Sequence, residues 1–312
     1  MIKSFFKLIR WPNLLIVLAS MFFMLFLVIR PVLGTAGSHF GMSTFMFVLL
    51  ALATVFIAIS GYIINDIKDQ ETDAVNRNMK NPVGTIFSQR QAAWLYVIFT
   101  FLGLAAGSYL AFLVQKFQYA LIFLLTAGLL WYYSERYQCQ PITGNIVVAF
   151  LSALSFGLVW LFEIFAMQLH PYALPILPEN LKLANKIVFI YMGFAFLVSL
   201  LREIVKDIED YNGDEKTGCL TFAVAYGLKK AKILALVVNL AGLAGVMILQ
   251  WFFYTNAFMM LFWFFMLVDV IFISVGIKLL RADNKTDFSH LSLWIKTLML
   301  TGILSMGLFY FK

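Results

Sequence analysis

The chain has 312 residues, of which 62% are hydrophobic and 12% are charged, and its mean hydropathy is +0.88. A soluble globular domain of this length rarely reaches such values, so we expect an integral membrane protein. The net charge of +7 fits a biased membrane topology and contact with lipid head groups, and nucleic acid is not an expected partner.

Nine apolar runs, separated by short polar segments, are candidates for crossing a hydrocarbon core that needs about 20 residues per helix. The runs are 14–29, 45–64, 92–114, 119–133, 146–167, 187–201, 233–254, 257–277 and 291–311. They lack the alternation of polar and apolar residues that a membrane barrel shows, which favours helices. We therefore predict an all-α integral membrane protein with nine transmembrane helices, organised as a single polytopic domain over residues 1–312.

Lysine and arginine residues predict the orientation, because cytoplasmic loops retain an excess of positive charge. If the N-terminus is inside, 17 of the 23 Lys and Arg residues fall in the N-terminal tail and in the loops on the same side of the membrane. This predicts a protein of the cell (inner or plasma) membrane whose N-terminus is cytoplasmic.

Acidic residues are rare, yet they form two clusters with the same DxxDxxxD spacing, one after the second run and one after the sixth. The clusters contain Asp66, Asp69 and Asp73, then Asp207, Asp210 and Asp214. Steps of three and four residues place side chains on one helix face, so each trio is expected to extend a membrane helix. Both clusters fall on the predicted cytoplasmic side.

Three crowded carboxylates repel one another unless cations keep them ionised. Oxygen ligands without nearby His or Cys favour Mg²⁺ or Mn²⁺, and Mg²⁺ usually takes a few carboxylates together with substrate phosphate oxygens. We therefore interpret all six aspartates as metal-binding, catalytic residues that act on a substrate carrying phosphate. Solvated loop charge is the alternative for either cluster alone.

Basic residues are interleaved with the acids and could neutralise a departing diphosphate, whose charge grows in the transition state. Those on the same predicted side include Arg77, Lys80, Arg136, Arg202 and Lys206. Positive-inside topology is the competing explanation for each of them.

Two further features carry structural expectations. Cys139 and Cys219 have no CxxC spacing and fall on the predicted cytoplasmic side, where thiols stay reduced, so no disulfide is expected. Glu163 lies close to the outer end of the fifth run and is expected to reach water.

The pattern NDxxDxxxD at 65–73, followed after the sixth run by a second aspartate motif, resembles the UbiA superfamily of intramembrane prenyltransferases. The resemblance spans most of the chain, through Asn76, Arg77, Lys80 and Gly84, then Tyr133, Arg136, Pro141, Gly144 and Asn145, and finally 202–214 with Gly218, Thr221 and Gly227. The sequence departs from the commoner family pattern at Lys80-Asn81-Pro82, where many relatives have Arg-Pro, and at Gln138, where another base is expected.

The resemblance implies nine helices in a UbiA-like bundle around a central cavity, where Mg²⁺ bridges both motifs to a prenyl diphosphate. It implies an allylic carbocation, attack by a lipophilic acceptor at C1, and release of diphosphate. Asn13 matches a polar position beside the family's active site, and Asn65 and Asn145 are expected to contact substrate. Membrane lipid is the surrounding partner, and no obligate protein partner is expected.

The stretch 202–214, REIVKDIEDYNGD, is most similar to the branch that prenylates geranylgeranylglyceryl phosphate with a geranylgeranyl group. An aromatic or quinone precursor remains the alternative acceptor. A CDP-alcohol phosphotransferase would show one compact DGxxAR-type run, and a cation transporter would place its acids near the membrane midplane.

Overall fold

The computed structural model describes residues 2–34, 41–76, 81–170, 178–255 and 259–311. Within these ranges the regular structure is helical, apart from an isolated bridge between Val83 and Phe87. Nine of the described helices are long and apolar enough to cross a membrane, which confirms the predicted fold class. These helices are Trp11–Leu33, Thr44–Lys68, Gln89–Leu113, Phe117–Glu135, Thr143–Gln168, Glu179–Thr217, Leu228–Thr255, Met259–Arg281 and Lys285–Phe309.

The first of these spans is not uniform, because Met24–Ile29 forms a π-helical segment between two α-helical parts. Short helices also occur outside the spans. They are the α-helices Ile2–Leu8, Gln70–Asn76 and Phe222–Tyr226 and the 3₁₀-helix Tyr137–Cys139.

The sixth spanning helix is much longer than its apolar run at 187–201. It extends over 40 residues, Pro178–Thr217, or about 60 Å at 1.5 Å per residue. A hydrocarbon core is about 30 Å thick. The excess length carries the second acidic motif as a continuation of a membrane helix, as its spacing predicted.

The chain divides into two compact units, and the prediction of one domain over residues 1–312 stays a prediction. The first unit comprises Met1–Gln138 and Leu154–Val188. In it the helices Thr44–Lys68 and Gln89–Leu113 approach at Gly103, where an added Cβ would lie 2.7 Å from Cγ1 of Ile57 and 3.2 Å from the carbonyl oxygen of Ala53. Small residues allow such contact between membrane helices.

The second unit comprises Cys139–Ala153 and Phe189–Lys312. Its helices Leu228–Thr255 and Met259–Arg281 also meet at a glycine, since a Cβ on Gly242 would lie 2.6 Å from the ring of Phe272. The buried Asn239 donates its amide N–H to the carbonyl oxygen of Phe272 at 3.2 Å. This pair of helices therefore combines close packing with a hydrogen bond.

Glu163 does not reach water, so that expectation was wrong. The residue is 0% exposed, and its Oε2 accepts the backbone N–H of Met42 at 2.8 Å. Arg30 lies 3.8 Å from Oε1 and also donates to the carbonyl oxygen of Met42 at 2.5 Å. A position near the end of an apolar run could not reveal that two other segments of this unit cover the side chain.

Replacing Glu163 by alanine removes a buried partner of both Arg30 and the Met42 N–H. We expect the free energy of unfolding to fall by about 3 kcal/mol, the usual cost of breaking a buried ion pair. The measurement is denaturant unfolding in detergent micelles, followed by helical circular dichroism.

The matched control is Glu179→Ala, because Glu179 pairs with Lys182 at 2.8 Å while both side chains are mostly exposed. An exposed pair contributes less than about 1 kcal/mol. Equal losses in the two variants would contradict a special role for the buried contacts of Glu163.

Candidate active site

The second spanning helix ends inside the first acidic motif. Helix Thr44–Lys68 stops before Asp69, whose backbone leaves the helical region at φ −84° and ψ 9°, and the short helix Gln70–Asn76 follows. The N–H of Asp69 still bonds the carbonyl of Asn65 at 2.9 Å. The prediction of one continuous helix through all three aspartates is therefore wrong at Asp69. Aspartate side chains can hydrogen-bond nearby backbone groups, and they compete in this way with regular helical structure.

Asp69 is held by two neutral amides, one on each carboxylate oxygen. Asn65 donates to Oδ2 at 2.8 Å, and Gln138 donates to Oδ1 at 2.6 Å. The amide of Asn65 also donates to Oε1 of Gln138 at 2.7 Å, which closes a ring of three side chains. Amide donors favour the ionised carboxylate and fix its orientation.

Asp66, the first acid of the motif, is buried and pairs with Arg10. Nη2 of Arg10 lies 2.7 Å from Oδ1 of Asp66 and 2.8 Å from Oδ1 of Asn65, and the guanidinium lies 5.0 Å from the ring centre of Tyr62. Burial alone lowers the pKa of Arg10, but the charge of Asp66 and its hydrogen bond raise that pKa above its ordinary value. Arg10 is thus a permanent cation beside the motif.

Asn81 connects the beginning and the end of the first motif. Its buried amide donates to the backbone carbonyl of Asp66 at 2.8 Å and to Oδ2 of Asp73 at 3.0 Å. Its own Oδ1 accepts the N–H of Val83 at 2.9 Å, which fixes the orientation of the side chain. The buried carboxylate of Asp73 is therefore oriented by a hydrogen bond from a residue outside the motif.

The second motif has the geometry that its spacing predicted. One helix, Pro178–Thr217, carries Asp207, Asp210 and Asp214. Asn145 is buried and donates to Oδ2 of Asp207 at 2.8 Å, so this predicted residue contacts an aspartate of the motif. Arg202, predicted to bind substrate, pairs at 2.5 Å with the buried Glu203.

Beyond the second motif the helix ends at Gly218, whose φ is +72°. The N–H of Cys219 bonds the carbonyl of Asp214 at 2.8 Å and that of Gly218 bonds the carbonyl of Glu215 at 3.3 Å. This is the Schellman arrangement, which glycine favours because it has no Cβ.

Cys219 is joined to Cys139 by a disulfide, with the two Cα atoms 4.6 Å apart. The expectation that the two cysteines remain separate thiols is therefore wrong. The residues are 80 positions apart, and spacing along the chain could not show that the fold brings these two segments together.

The other predicted residues have mixed surroundings. Asn13 and Lys206 are half-buried and Arg136 is exposed, while Arg77 and Lys80 lie outside the described residues. The substrate-binding roles of these residues stay predictions.

Both motifs offer carboxylate oxygens, which are the ligands that Mg²⁺ takes in proteins, usually with phosphate oxygens completing the shell. Over the described part of the chain, no group of three or more His, Cys, Asp or Glu side chains is placed so that it could hold a metal ion. The carboxylate donors by their type fit Mg²⁺ whose shell is completed by diphosphate oxygens.

Sequence reasoning missed three residues that contact the first motif, namely Arg10, Asn81 and Gln138. Arg10 is one of the basic residues of the N-terminal tail, whose pattern predicts only the orientation of the chain. Asn81 and Gln138 are the positions where the sequence departs from the commoner family pattern, and that departure was the available signal. In the structure, these two departures supply neutral amides to the aspartates.

Comparison with known proteins supports the resemblance. Residues 20–298 match the UbiA prenyltransferase family, and this range contains both acidic motifs. Digeranylgeranylglyceryl phosphate synthase of Methanosphaera stadtmanae is 29% identical over 268 residues, which cover 84% of this chain and 87% of that protein. The enzyme of the same name from Sulfurisphaera tokodaii is 30% identical, covering 73% of this chain and 72% of that protein.

Solved structures show the same fold. A structure concerning digeranylgeranylglyceryl phosphate synthase in membranes has a TM-score of 0.59 at 23% identity and covers 98% of this chain and 96% of its own. A UbiA homolog from Archaeoglobus fulgidus, bound to GPP and Mg²⁺, has a TM-score of 0.58 at 15% identity and covers 97% of this chain and 99% of its own. The chain is therefore a membrane protein of the UbiA prenyltransferase family.

Proposed function

We propose that the chain acts as a single prenyltransferase domain that transfers a geranylgeranyl group to the free hydroxyl of geranylgeranylglyceryl phosphate. The observation that carries the proposal is that a relative named digeranylgeranylglyceryl phosphate synthase aligns over 84% of the chain. The stretch 202–214 supports the same branch. The reaction is a step in ether-lipid synthesis, and both substrates are lipids of the surrounding membrane.

In the proposed reaction the bond between C1 of the prenyl group and the diphosphate oxygen breaks, and diphosphate keeps the electron pair. The acceptor hydroxyl oxygen then bonds to C1 of the allylic cation, and its proton leaves with the diphosphate, which is released as the second product. Bound Mg²⁺ supplies positive charge that offsets the charge growing on the diphosphate. Asp66, Asp69, Asp73, Asp207, Asp210 and Asp214 are the residues proposed to hold it.

The protein's own contribution is to fix these acids before the substrate binds. Amide donors restrict Asp69 and Asp73 and add no positive charge, so the attraction for a metal cation is kept. Asn145 does the same for Asp207. Preorganised groups of this kind stabilise a developing charge without a cost of reorganisation during the reaction.

We propose diphosphate contacts for the basic residues around the motifs and substrate contacts for the asparagines. The residues are Asn13, Asn65, Arg77, Lys80, Arg136, Asn145, Arg202 and Lys206. The basic members lie in the same parts of the sequence as the acids. This matches the need to stabilise a leaving diphosphate.

The test is an assay of detergent-solubilised protein with labelled geranylgeranyl diphosphate and Mg²⁺, offering geranylgeranylglyceryl phosphate and an aromatic acceptor separately. We expect product with the glycerol phosphate, and EDTA should stop its formation until Mg²⁺ is restored. Asp66→Ala and Asp207→Ala should each lower turnover by at least about 100-fold, because each removes a group that stabilises the transition state.

Product with the aromatic acceptor alone would replace the proposed acceptor and keep the reaction type. Formation of product in EDTA, or full turnover in either aspartate variant, would contradict the proposed chemistry. Retained helical circular dichroism and an unchanged thermal transition would show that the variants are folded.

Gln138→Ala removes one amide from Asp69 and leaves the carboxylate itself in place. Residues that orient a metal ligand typically contribute about 10- to 100-fold to metal affinity or activity. We expect a loss in this range, seen mainly as a higher Mg²⁺ concentration for half-maximal turnover.

Gln118→Ala is the matched control, because Gln118 is exposed and lies outside both motifs. Gln138→Glu provides a second comparison, since it keeps the size of the side chain but replaces the donor to Asp69 by a negative charge. It should be at least as damaging as Gln138→Ala. Normal Mg²⁺ dependence in both Gln138 variants would rule out the orienting role.

We propose a cell-membrane protein whose N-terminus and acidic motifs are cytoplasmic, on the basis of the distribution of Lys and Arg. A reporter fused after Lys216 should then lie inside the cell, and one after Lys312 outside. The measurement compares alkaline phosphatase and fluorescent-protein fusions at both sites. The opposite pattern would reverse the proposed orientation.

A further inference from the structure

The segment from Cys139 to Asn145 contacts the second acidic motif near both of its ends. At one end, Asn145 donates to the carboxylate of Asp207 at 2.8 Å. At the other end, Cys139 forms the disulfide with Cys219, whose N–H bonds the carbonyl of Asp214 at 2.8 Å. All of these residues belong to the second compact unit.

The hydrogen bond from Cys219 to the carbonyl of Asp214 is important because Asp214 lies at the end of its helix. Asp214 lies in the last turn of the helix Pro178–Thr217, and the last turn of a helix frays when its carbonyl groups lose their partners. Here the carbonyl of Asp214 is satisfied by the residue that carries the disulfide. Cys219 is buried, so the bond anchors the helix end within the unit.

We propose that the Cys139–Cys219 disulfide is a positioning element for Asp214, and that its reduction weakens metal binding by the second motif. A dithiol supplies two electrons and two protons, the S–S bond breaks to give two cysteine thiols, and the dithiol becomes a disulfide. The turn at Gly218 then loses its covalent anchor and Asp214 becomes more mobile. The inference deepens the proposed function and rests on it for the role of the metal. The disulfide lies on the side proposed to be cytoplasmic, where such bonds are usually transient or redox-sensing, so a bond that forms and breaks is the case considered.

The chain contains two cysteines in total, so a reductant acts on this pair alone. The experiment compares air-oxidised protein with protein that has been reduced by dithiothreitol and desalted anaerobically. Free thiols are counted under denaturing conditions by reaction with a maleimide-linked polymer, because each modified thiol retards the protein on a gel by one step. Binding of Mn²⁺, in the presence of a non-hydrolysable diphosphate analogue, is measured by electron paramagnetic resonance, and the thermal transition is recorded in parallel.

We expect no free thiols before reduction and two afterwards, with Mn²⁺ affinity lowered by about tenfold on reduction. Reoxidation should restore the affinity. The double variant Cys139→Ser/Cys219→Ser should bind Mn²⁺ like the reduced protein and should not respond to dithiothreitol. Gly218→Ala strains the same turn without any thiol chemistry, because φ is +72°, and should lower the affinity in the same direction.

Two free thiols in the oxidised protein, or equal Mn²⁺ affinity in the oxidised and reduced forms, would overturn the inference. So would global unfolding on reduction at the assay temperature, since the bond would then stabilise the whole unit. A change in Mn²⁺ affinity without prenyl transfer by the oxidised protein would leave the inference standing and refute the proposed function. Prenyl transfer together with the same Mn²⁺ affinity in the oxidised and reduced forms would support the proposed function and refute the inference.

Discussion

A carboxylate beside hydrocarbon is stable only if hydrogen bonds or a cation satisfy its oxygens, and this requirement governs the arrangement of the described residues. Asp66, Asp73 and Glu163 are all buried. Each has a partner outside its own helical segment: Arg10 for Asp66 and the Met42 N–H for Glu163, both far along the chain, and Asn81 for Asp73, eight residues away. Leaving such a group without partners costs several kcal/mol, so the acids dictate where these segments lie.

The chemical nature of the partners differs between the acids. Glu163 and Asp66 lie beside arginine, whereas Asp69, Asp73 and Asp207 accept hydrogen bonds from Asn or Gln. An arginine partner offsets part of the negative charge of a carboxylate, as Arg10 does for the proposed metal ligand Asp66, while an amide orients a carboxylate without adding positive charge. Amide partners therefore suit carboxylates that are proposed to attract a metal bound to diphosphate.

The two motifs share their spacing and differ in how the backbone supports them. The second lies on one 40-residue helix that ends in a glycine turn next to a disulfide. The first is divided at Asp69 between two helices, and side chains from residues 10, 81 and 138 hold it. Identical sequence patterns can thus rest on different local structures, because a helical spacing does not exclude one non-helical residue.

The sequence by itself determined the membrane class, nine apolar runs that match the spanning helices of the described residues, the family resemblance and the two acidic motifs, because hydropathy and residue spacing are local properties. Its predictions for Arg77 and Lys80 concern residues outside the described ranges, and the substrate-binding roles of the others stay predictions. Only the tertiary structure revealed the partners of the acids, the burial of Glu163 and the joining of Cys139 to Cys219. Those contacts link positions that are 56 apart for Asp66, 121 apart for Glu163 and 80 apart for the cysteines. Such pairings depend on how helices pack, and no local pattern encodes them.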